Sequence, residues 1–120
     1  MDEEVGVEIT SEKQVVIVIF KSASISDVDE INFASRQIKD FIDGKQPEML
    51  IFDFSRVKFF SSQVLGLLLD IRSQMELHNG EVVVSAINPQ LHRVFKITNL
   101  DKIFRFFPDK ESAVQSMNSN

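Results

Sequence analysis

Residues 49–54 constrain the fold of this 120-residue chain more than any other segment. They are apolar on both alternating faces as far as Asp53, and a strand with that pattern needs a cover of other elements on each side. Because parallel sheets are covered by helices in this way, the segment predicts a central strand of an α/β domain. The rest of the chain should then supply helices for both faces of the sheet.

The amino-terminal third of the chain has a strand pattern followed by a helix pattern. Residues 5–10 and the β-branched run at residues 14–20 predict a hairpin that opens the domain. Ser26 is followed three residues later by an acid and then by apolar residues at helical spacing. It is therefore the predicted N-cap of a first helix, which should end at Gly44.

The second half of the chain continues this alternation. A loop is predicted at residues 55–60, and the apolar helix after it should end at Asn79-Gly80, where glycine accepts a left-handed backbone. The later elements are strands at residues 81–85 and 103–107, a short helix from Pro89 and a terminal helix at residues 110–117.

The resulting order, β-β-α-β-α-β-α-β-α, predicts the fold class. Strands that alternate with helices imply right-handed crossovers and a parallel sheet. We therefore expect one α/β domain, residues 1–120 with a core at residues 5–117. Its mixed, mainly parallel sheet should carry an N-terminal antiparallel hairpin and about four helices.

Charge and composition exclude several kinds of function. Thirteen Lys and Arg against eighteen Asp and Glu give a formal net charge of −5, whereas binding a nucleic-acid duplex needs a basic surface. The chain has no Cys, which excludes disulfides and thiolate metal sites and fits a reducing compartment. Its start is acidic, unlike a signal peptide, and its apolar runs are too short for a bilayer. We expect a cytoplasmic protein without membrane insertion.

No motif of the sequence predicts catalysis. The four Gly are too scattered for a phosphate-binding loop, and His78 and His92 stand in no metal-ligand spacing. Asp53, Asp70 and Asp101 lie on separate predicted elements, so no local pair of acids indicates general acid and base chemistry. We therefore expect no enzyme activity, no cofactor and no metal ion.

The unusual segment is Phe59-Phe60-Ser61-Ser62-Gln63, between a buried strand and a buried helix. Functional groups of parallel sheets gather at junctions of this kind. One serine can be a helix N-cap, which is worth about 1 kcal/mol and would explain its presence. Alternatively, a hydroxyl here can accept a phosphate, because the positive end of a helix tolerates the added charge. The residues alone leave both interpretations open.

The order of motifs resembles the STAS domains, and within them the anti-sigma factor antagonists. The resemblance rests on Leu-Ile-Phe-Asp-Phe-Ser-Arg-Val at residues 50–57, Phe-Ser-Ser-Gln-Val-Leu-Gly at residues 60–66 and Asn-Gly-Glu-Val-Val-Val at residues 79–84. A fourth stretch, Val-Phe-Lys-Ile-Thr-Asn-Leu-Asp-Lys-Ile-Phe, follows at residues 94–104. With the hairpin and first helix, the resemblance covers most of residues 5–117 and implies a STAS fold.

The resemblance also implies a site. The family motif is Asp-Ser-Ser-Gly, and its phosphate-accepting serine corresponds by position to Ser62, with Ser61 as the fallback. Asp53 corresponds to the family's acidic residue near the phosphorylation site. This chain departs from the motif, because Phe60 precedes the serine pair in place of Asp and Gln63 follows it in place of Gly or Ala.

The implied partners are a serine-kinase anti-sigma factor and a serine phosphatase. The unphosphorylated protein would dock on the kinase and free the sigma factor, phosphorylation of Ser62 would abolish docking, and the phosphatase would reset the protein. From topology, the expected contact surface contains Ser24, Phe60, Ser61, Ser62, Gln63 and Gly66.

Two other hypotheses stay open. The first keeps the fold without a phosphorylation switch and makes the protein a constitutive STAS interaction subunit of a scaffold or lipid-transport complex. Phe60, where the motif has an acid, favours this alternative. The second is a small nucleotide- or lipid-binding domain, which no phosphate loop supports. The sequence does not indicate whether the protein self-associates.

Overall fold

The computed structural model describes residues 6–118, which form two sheets and four α-helices. The strands are β1 (Val7–Glu12), β2 (Val15–Phe20), β3 (Ser24–Ile25), β4 (Met49–Asp53), β5 (Phe59–Phe60), β6 (Glu81–Ser85) and β7 (Arg105–Phe107). The helices are α1 (Val28–Lys45), α2 (Gln63–Glu76), α3 (Pro89–Ile97) and α4 (Lys110–Asn118), with a 3₁₀ turn at Leu100–Lys102.

The main sheet has five strands in the order β1-β2-β4-β6-β7. Strands β1 and β2 are antiparallel and form the predicted opening hairpin, whereas β2, β4, β6 and β7 run parallel. A helix connects the members of each parallel pair, as parallel strands require. This mixed, mainly parallel sheet with four helices confirms the fold class predicted from the sequence.

The side chains of β4 alternate between two apolar layers. Leu50 and Phe52 pack in the larger layer with residues of α1, α2 and α3, while Met49 and Ile51 pack in the smaller layer with Ala113 of α4. All four strand side chains are fully buried. This cover on both faces is the reason that the segment is apolar at each position before Asp53.

The first helix begins and ends differently from the prediction. Asp27 is the N-cap in place of Ser26, and its carboxylate accepts hydrogen bonds from the amides of Asp29 and Glu30 at 2.8 and 3.1 Å. Both residue types cap helices, and the carboxylate also interacts favourably with the positive helix end. The helix passes through Gly44, and Gln46 takes the left-handed conformation at its end, with φ of 47°.

The predicted loop at residues 55–60 contains a short strand. Ser24 pairs with Phe59 and Ile25 with Phe60 in a parallel two-stranded sheet formed by β3 and β5. The amide of Ser61 extends the pairing by donating to the carbonyl of Ile25 at 2.9 Å. This pairing fixes the start of α2 against the segment that precedes α1.

The turn after α2 uses Asn79 and Gly80 differently from the prediction. Asn79 supplies the left-handed conformation, with φ of 65°, whereas Gly80 has no positive φ. A Cβ on Gly80 would lie 2.6 Å from Cε of Met75 and 2.9 Å from the carbonyl oxygen of Pro47. Close packing, and not backbone conformation, therefore requires the glycine.

The two edge strands also differ in length from the prediction. The last strand begins at Arg105 and not at residue 103, because Ile103 is the C-cap of the 3₁₀ turn that ends at Lys102. The first strand extends to Glu12, while Val5, its predicted first residue, lies outside the described residues. Within residues 6–118, none of the helices has the length and apolar character that crossing a membrane requires.

Candidate functional site

Ser62 lies at the amino-terminal end of α2, immediately before Gln63. The residue is exposed, its backbone is already helical (φ −60°, ψ −18°), and its side chain makes no capping hydrogen bond. A cap residue needs an extended backbone to turn its oxygen onto the first amides of the helix. The hydroxyl of Ser62 therefore contributes no hydrogen bond to the fold.

Ser61 has the opposite environment. Its residue is half-buried, and its Oγ is buried without a hydrogen-bond partner in the described part of the chain. A buried hydroxyl in this state costs about 1 to 3 kcal/mol. Ser62 stands at the N-cap position of α2, but neither serine hydroxyl makes the predicted capping hydrogen bond, and the two hydroxyls differ in their access to solvent.

The first turn of α2 forms an uncompensated positive end. It carries no acidic side chain. The amides of Val64 and Leu65 bond to the carbonyls of Ser61 and Ser62 at 3.0 Å, whereas the amides of Ser62 and Gln63 have no acceptor among residues 6–118. Free amides and the helix dipole together favour a negative group at this end.

Phe60 and Phe59 face in opposite directions. The Phe60 ring is 6% exposed and lies edge-on to the rings of Phe54 and Phe95, with centroid distances of 5.7 and 6.2 Å. It holds β5 in the core, so the ring expected in the contact surface is not accessible there. Phe59, which was not among the predicted contact residues, is 54% exposed and lies three residues before Ser62.

Asp53 ends β4 and is 2% exposed. Its Oδ1 accepts hydrogen bonds from the amide and the hydroxyl of Ser55, the former at 3.0 Å, and its Oδ2 accepts one from the hydroxyl of Ser85 at 2.8 Å. These hydrogen bonds include neither Ser61 nor Ser62. The carboxylate therefore joins the carboxyl ends of β4 and β6 beneath the site.

A groove of about 280 Å³ lies between α1 and α2 and begins beside Ser62. At the end of the groove farther from Ser62, Nζ of Lys39 pairs with a carboxylate oxygen of Asp70 at 2.6 Å. The residues that line the groove are Val28, Ile31, Asn32, Ser35, Gln63, Gly66, Leu67 and Asp70.

The predicted contact residues fall into two groups. Ser24, Gln63 and Gly66 are exposed, and the last two line the groove, whereas Phe60 and the hydroxyl of Ser61 are buried. The sequence missed the contribution of α1 to the groove, which includes Val28, 48% exposed. The apolar spacing of α1 indicated its buried face, which includes Ile31, but not that the neighbouring residues Asn32 and Ser35 line a groove beside α2.

The arrangement is suited to contact with another molecule. Residues 6–118 contain no cluster of three or more His, Cys, Asp or Glu able to hold a metal ion. The region around the start of α2 instead has the exposed hydroxyl of Ser62, a positive helix end and the exposed ring of Phe59. Beside it lies a groove with both apolar and polar lining.

Comparison with known families identifies this architecture. The sequence profile of the STAS domain family matches residues 8–113, which include both serines and the groove. The chain belongs to the STAS domain family. A curated relative in Paenibacillus polymyxa is described as an anti-sigma F factor antagonist. It is 25% identical over 81 residues, which are 68% of this chain and 69% of that protein.

Solved STAS structures share the fold. An anti-sigma-factor antagonist domain protein from Planctomyces limnophilus superposes with a TM-score of 0.84 at 20% identity, covering 96% of this chain and 99% of that one. The antagonist SpoIIAA in its unphosphorylated form gives 0.81 at 16% identity, covering 95% and 98%. SpoIIAA from Bacillus in its phosphorylated form gives 0.71 at 18% identity, covering 92% and 98%.

Proposed function

We propose that this STAS domain is an anti-sigma factor antagonist that works by partner switching. In the unphosphorylated state it docks on a serine-kinase anti-sigma factor, and the sigma factor is released. The kinase phosphorylates Ser62, which ends docking, and a serine phosphatase restores the first state. The protein itself is a cytoplasmic binding module with no enzyme activity and no cofactor. The relatives described as anti-sigma factor antagonists support this assignment.

The observation that carries the proposal is the position of Ser62, exposed at the amino-terminal end of α2 with a hydroxyl that makes no bond to the fold. A phosphate adds about −1.5 to −2 charges. The free amides of Ser62 and Gln63 and the helix dipole favour that charge, so the domain can carry the modification without unfolding.

The same phosphate would oppose docking. A partner that covers the start of α2 must remove water from a dianion, which costs several kcal/mol unless the partner supplies a cation to pair with it. The exposed residues that the sequence placed in the contact face, among them Ser24, Ser62 and Gln63, have uncharged side chains before phosphorylation. Phosphorylation thus changes the charge of the face and leaves the domain beneath it intact.

Phosphorylation is tested with the purified chain, ATP and the serine-kinase anti-sigma factor of the same organism. We expect one phosphate, resolved on a phosphate-affinity gel, that is absent from Ser62→Ala and present in Ser61→Ala, its matched control. If Ser62→Ala is phosphorylated to the same extent as wild type, another residue accepts the phosphate, and the proposal is contradicted.

Docking is tested in parallel by titration calorimetry. Ser62→Asp should bind the kinase at least tenfold more weakly than wild type, equivalent to about 1.4 kcal/mol. Ser62→Ala should bind as wild type does.

The second candidate is a constitutive STAS interaction subunit of a scaffold or lipid-transport complex. The absence of an acid before the serine pair, where Phe60 stands and packs in the core, favours it. The same experiments separate the two candidates. A chain that no serine kinase of its organism modifies, and whose Ser62→Asp variant binds its partner as tightly as wild type, is a constitutive subunit.

A further inference from the structure

Gly66 is a residue of α2 that the fold itself does not explain. It lies in the second turn of the helix and is exposed, and a Cβ added to it would meet no atom within 4 Å. Glycine inside a helix is less favourable than alanine, because its backbone loses more conformational freedom on folding. The described chain therefore gains no packing from the missing side chain.

Two other glycines help to interpret the open space at Gly66. A Cβ on Gly80 would lie 2.6 Å from Cε of Met75 and 2.9 Å from the carbonyl oxygen of Pro47, so packing requires this glycine. Gly44, in the last turn of α1, has open space as Gly66 does, but it does not line the groove. At Gly66 the open space is part of the groove between α1 and α2.

The groove has the dimensions of a helix-packing site. Its α2 wall runs from Gln63 to Asp70, which is about 10 Å, or two helical turns. Ile31 and Leu67 form a buried apolar base, and Val28 forms an exposed apolar rim.

We propose that this groove receives a helix of the protein partner, with the backbone of that helix lying against Gly66. The identity of the partner as a serine-kinase anti-sigma factor rests on the proposed function. A third helix packs between two others at a distance that the contacting side chains set. The missing side chain at residue 66 allows the closer approach, so the partner helix presents an uncharged face with a small residue at that point.

Other kinds of occupant fit the groove less well. An extended strand needs a free sheet edge to pair with, and the walls of the groove are two helices, which offer no such edge. A small molecule usually occupies about 300 to 1,000 Å³ with polar groups converging on it. This groove is just below that size, and its polar residues, Asn32, Ser35, Gln63 and Asp70, are spread along both walls.

The position of the groove connects it to Ser62. A stable interface buries about 800 Å² on each partner, which is more than a groove of two turns provides. The interface must therefore extend beyond the groove, and Ser62 lies at its near end, next to Gln63. A phosphate on Ser62 would lie at this end of the groove, next to the bound partner helix.

Stability and binding change in opposite directions if the proposal holds. Gly66→Ala and its matched control Gly44→Ala should both raise the melting temperature by about 2 to 5 °C, since each replaces an exposed helical glycine. Gly66→Ala should also weaken binding to the kinase anti-sigma factor at least tenfold, because its methyl group occupies the closest point of approach. Gly44→Ala should bind as wild type does.

A proximity measurement gives a second readout. The chain has no Cys, so a single introduced thiol carries a photo-crosslinker at one known place. From Asn32→Cys, in the α1 wall, we expect a cross-link to a helix of the kinase. From Ile97→Cys, 73% exposed on α3 and outside the groove, we expect none.

The outcomes separate this inference from the proposed function. Wild-type affinity of Gly66→Ala overturns the groove proposal, as does the absence of a cross-link from position 32 in a complex that forms. Both results leave the antagonist function in place. If the unmodified wild-type chain binds no serine-kinase anti-sigma factor of its organism, the proposed function and the groove proposal are both overturned.

Discussion

Ser61 and Ser62 are chemically identical neighbours in different environments. The Ser61 hydroxyl is buried without a hydrogen-bond partner, whereas Ser62 is exposed and makes no cap bond. The pairing of Ser61 with β3, through its amide and the carbonyl of Ile25, turns one side chain inward and leaves the next one outside. The two hydroxyls therefore differ in solvent access although they belong to adjacent residues.

This difference predicts how each serine responds to a negative charge. Ser61→Asp places a carboxylate in a buried position and should lower the free energy of unfolding by about 2 to 4 kcal/mol. Ser62→Asp should change it by less than about 0.5 kcal/mol, because the new charge is exposed at a positive helix end. Urea unfolding followed by circular dichroism measures both values. Equal losses for the two variants would show that the environments do not differ.

Ser61→Ala is the control for this comparison. It removes a hydroxyl that has no partner, so the free energy of unfolding should stay constant or rise.

Individual side-chain directions were the least predictable part of the site. Phe59 and Phe60 are the same residue type, and the sequence does not reveal which ring enters the core, because β5 is too short to show a period. Asp53 was correctly expected at the end of the central strand. Its link to Ser85 depends on the pairing of β4 with β6, which brings together residues far apart in the chain.

Among the helices, α4 covers one sheet face, and its start depends on Asp109. The Asp109 carboxylate accepts bonds from the amide and hydroxyl of Ser112 at 2.8 and 2.7 Å. Both bonds lower the pKa of Asp109 below its ordinary value of 3.8, and the bond from the Ser112 hydroxyl has the larger effect. A carboxyl group whose pKa is lower in the folded state stabilises that state above its unfolded pKa and loses the contribution as the pH falls.

We therefore predict that α4 loosens in acid before the rest of the domain. Amide hydrogen exchange of Ala113 should accelerate, relative to that of Leu50 in β4, as the pH falls below 3.8 and through the lower folded-state pKa of Asp109. Asp109→Asn keeps an oxygen acceptor without the titrating charge, so the acid-induced part of this acceleration should be absent. An unchanged pH profile in the variant would mean that another group controls α4.

Elements of ordinary length could be predicted because their periodicity is local. Strands β2, β4 and β6 and the helices α1 and α2 followed from apolar spacing, and the alternation of strands and helices gave the sheet type. The sheet of β3 and β5 was missed because strands of two residues are defined by their pairing alone. Ser26 and Asp27 are both good caps, and the sequence does not reveal which of the two side chains reaches the first amides of α1.

The whole molecule consists of two apolar layers on opposite faces of one sheet. The larger layer includes Phe106, and the smaller layer includes its neighbour Phe107, since successive residues of β7 point to opposite faces. Both layers are built on the same strands, so neither has a sheet of its own. We expect both apolar layers to unfold in one cooperative transition.

This expectation can be tested with two tryptophans. The chain contains neither Trp nor Tyr, so a single introduced tryptophan is the dominant fluorophore. Phe106→Trp reports on the larger layer and Phe107→Trp on the smaller layer. In each variant, the urea midpoint from fluorescence should match that from far-ultraviolet circular dichroism. A lower fluorescence midpoint in Phe107→Trp alone would show that α4 leaves the sheet as an independent unit.

The unbonded hydroxyl of Ser62 has a consequence for the lifetime of the protein in a cell. Proteases and chaperones select their substrates by how often a chain opens, and a negative group that the positive start of α2 favours does not make opening more frequent. Under the proposed function, copies that carry a phosphate on Ser62 should consequently be degraded no faster than unmodified copies. A fall in the phosphorylated fraction would then report the action of the phosphatase and not a loss of phosphorylated protein.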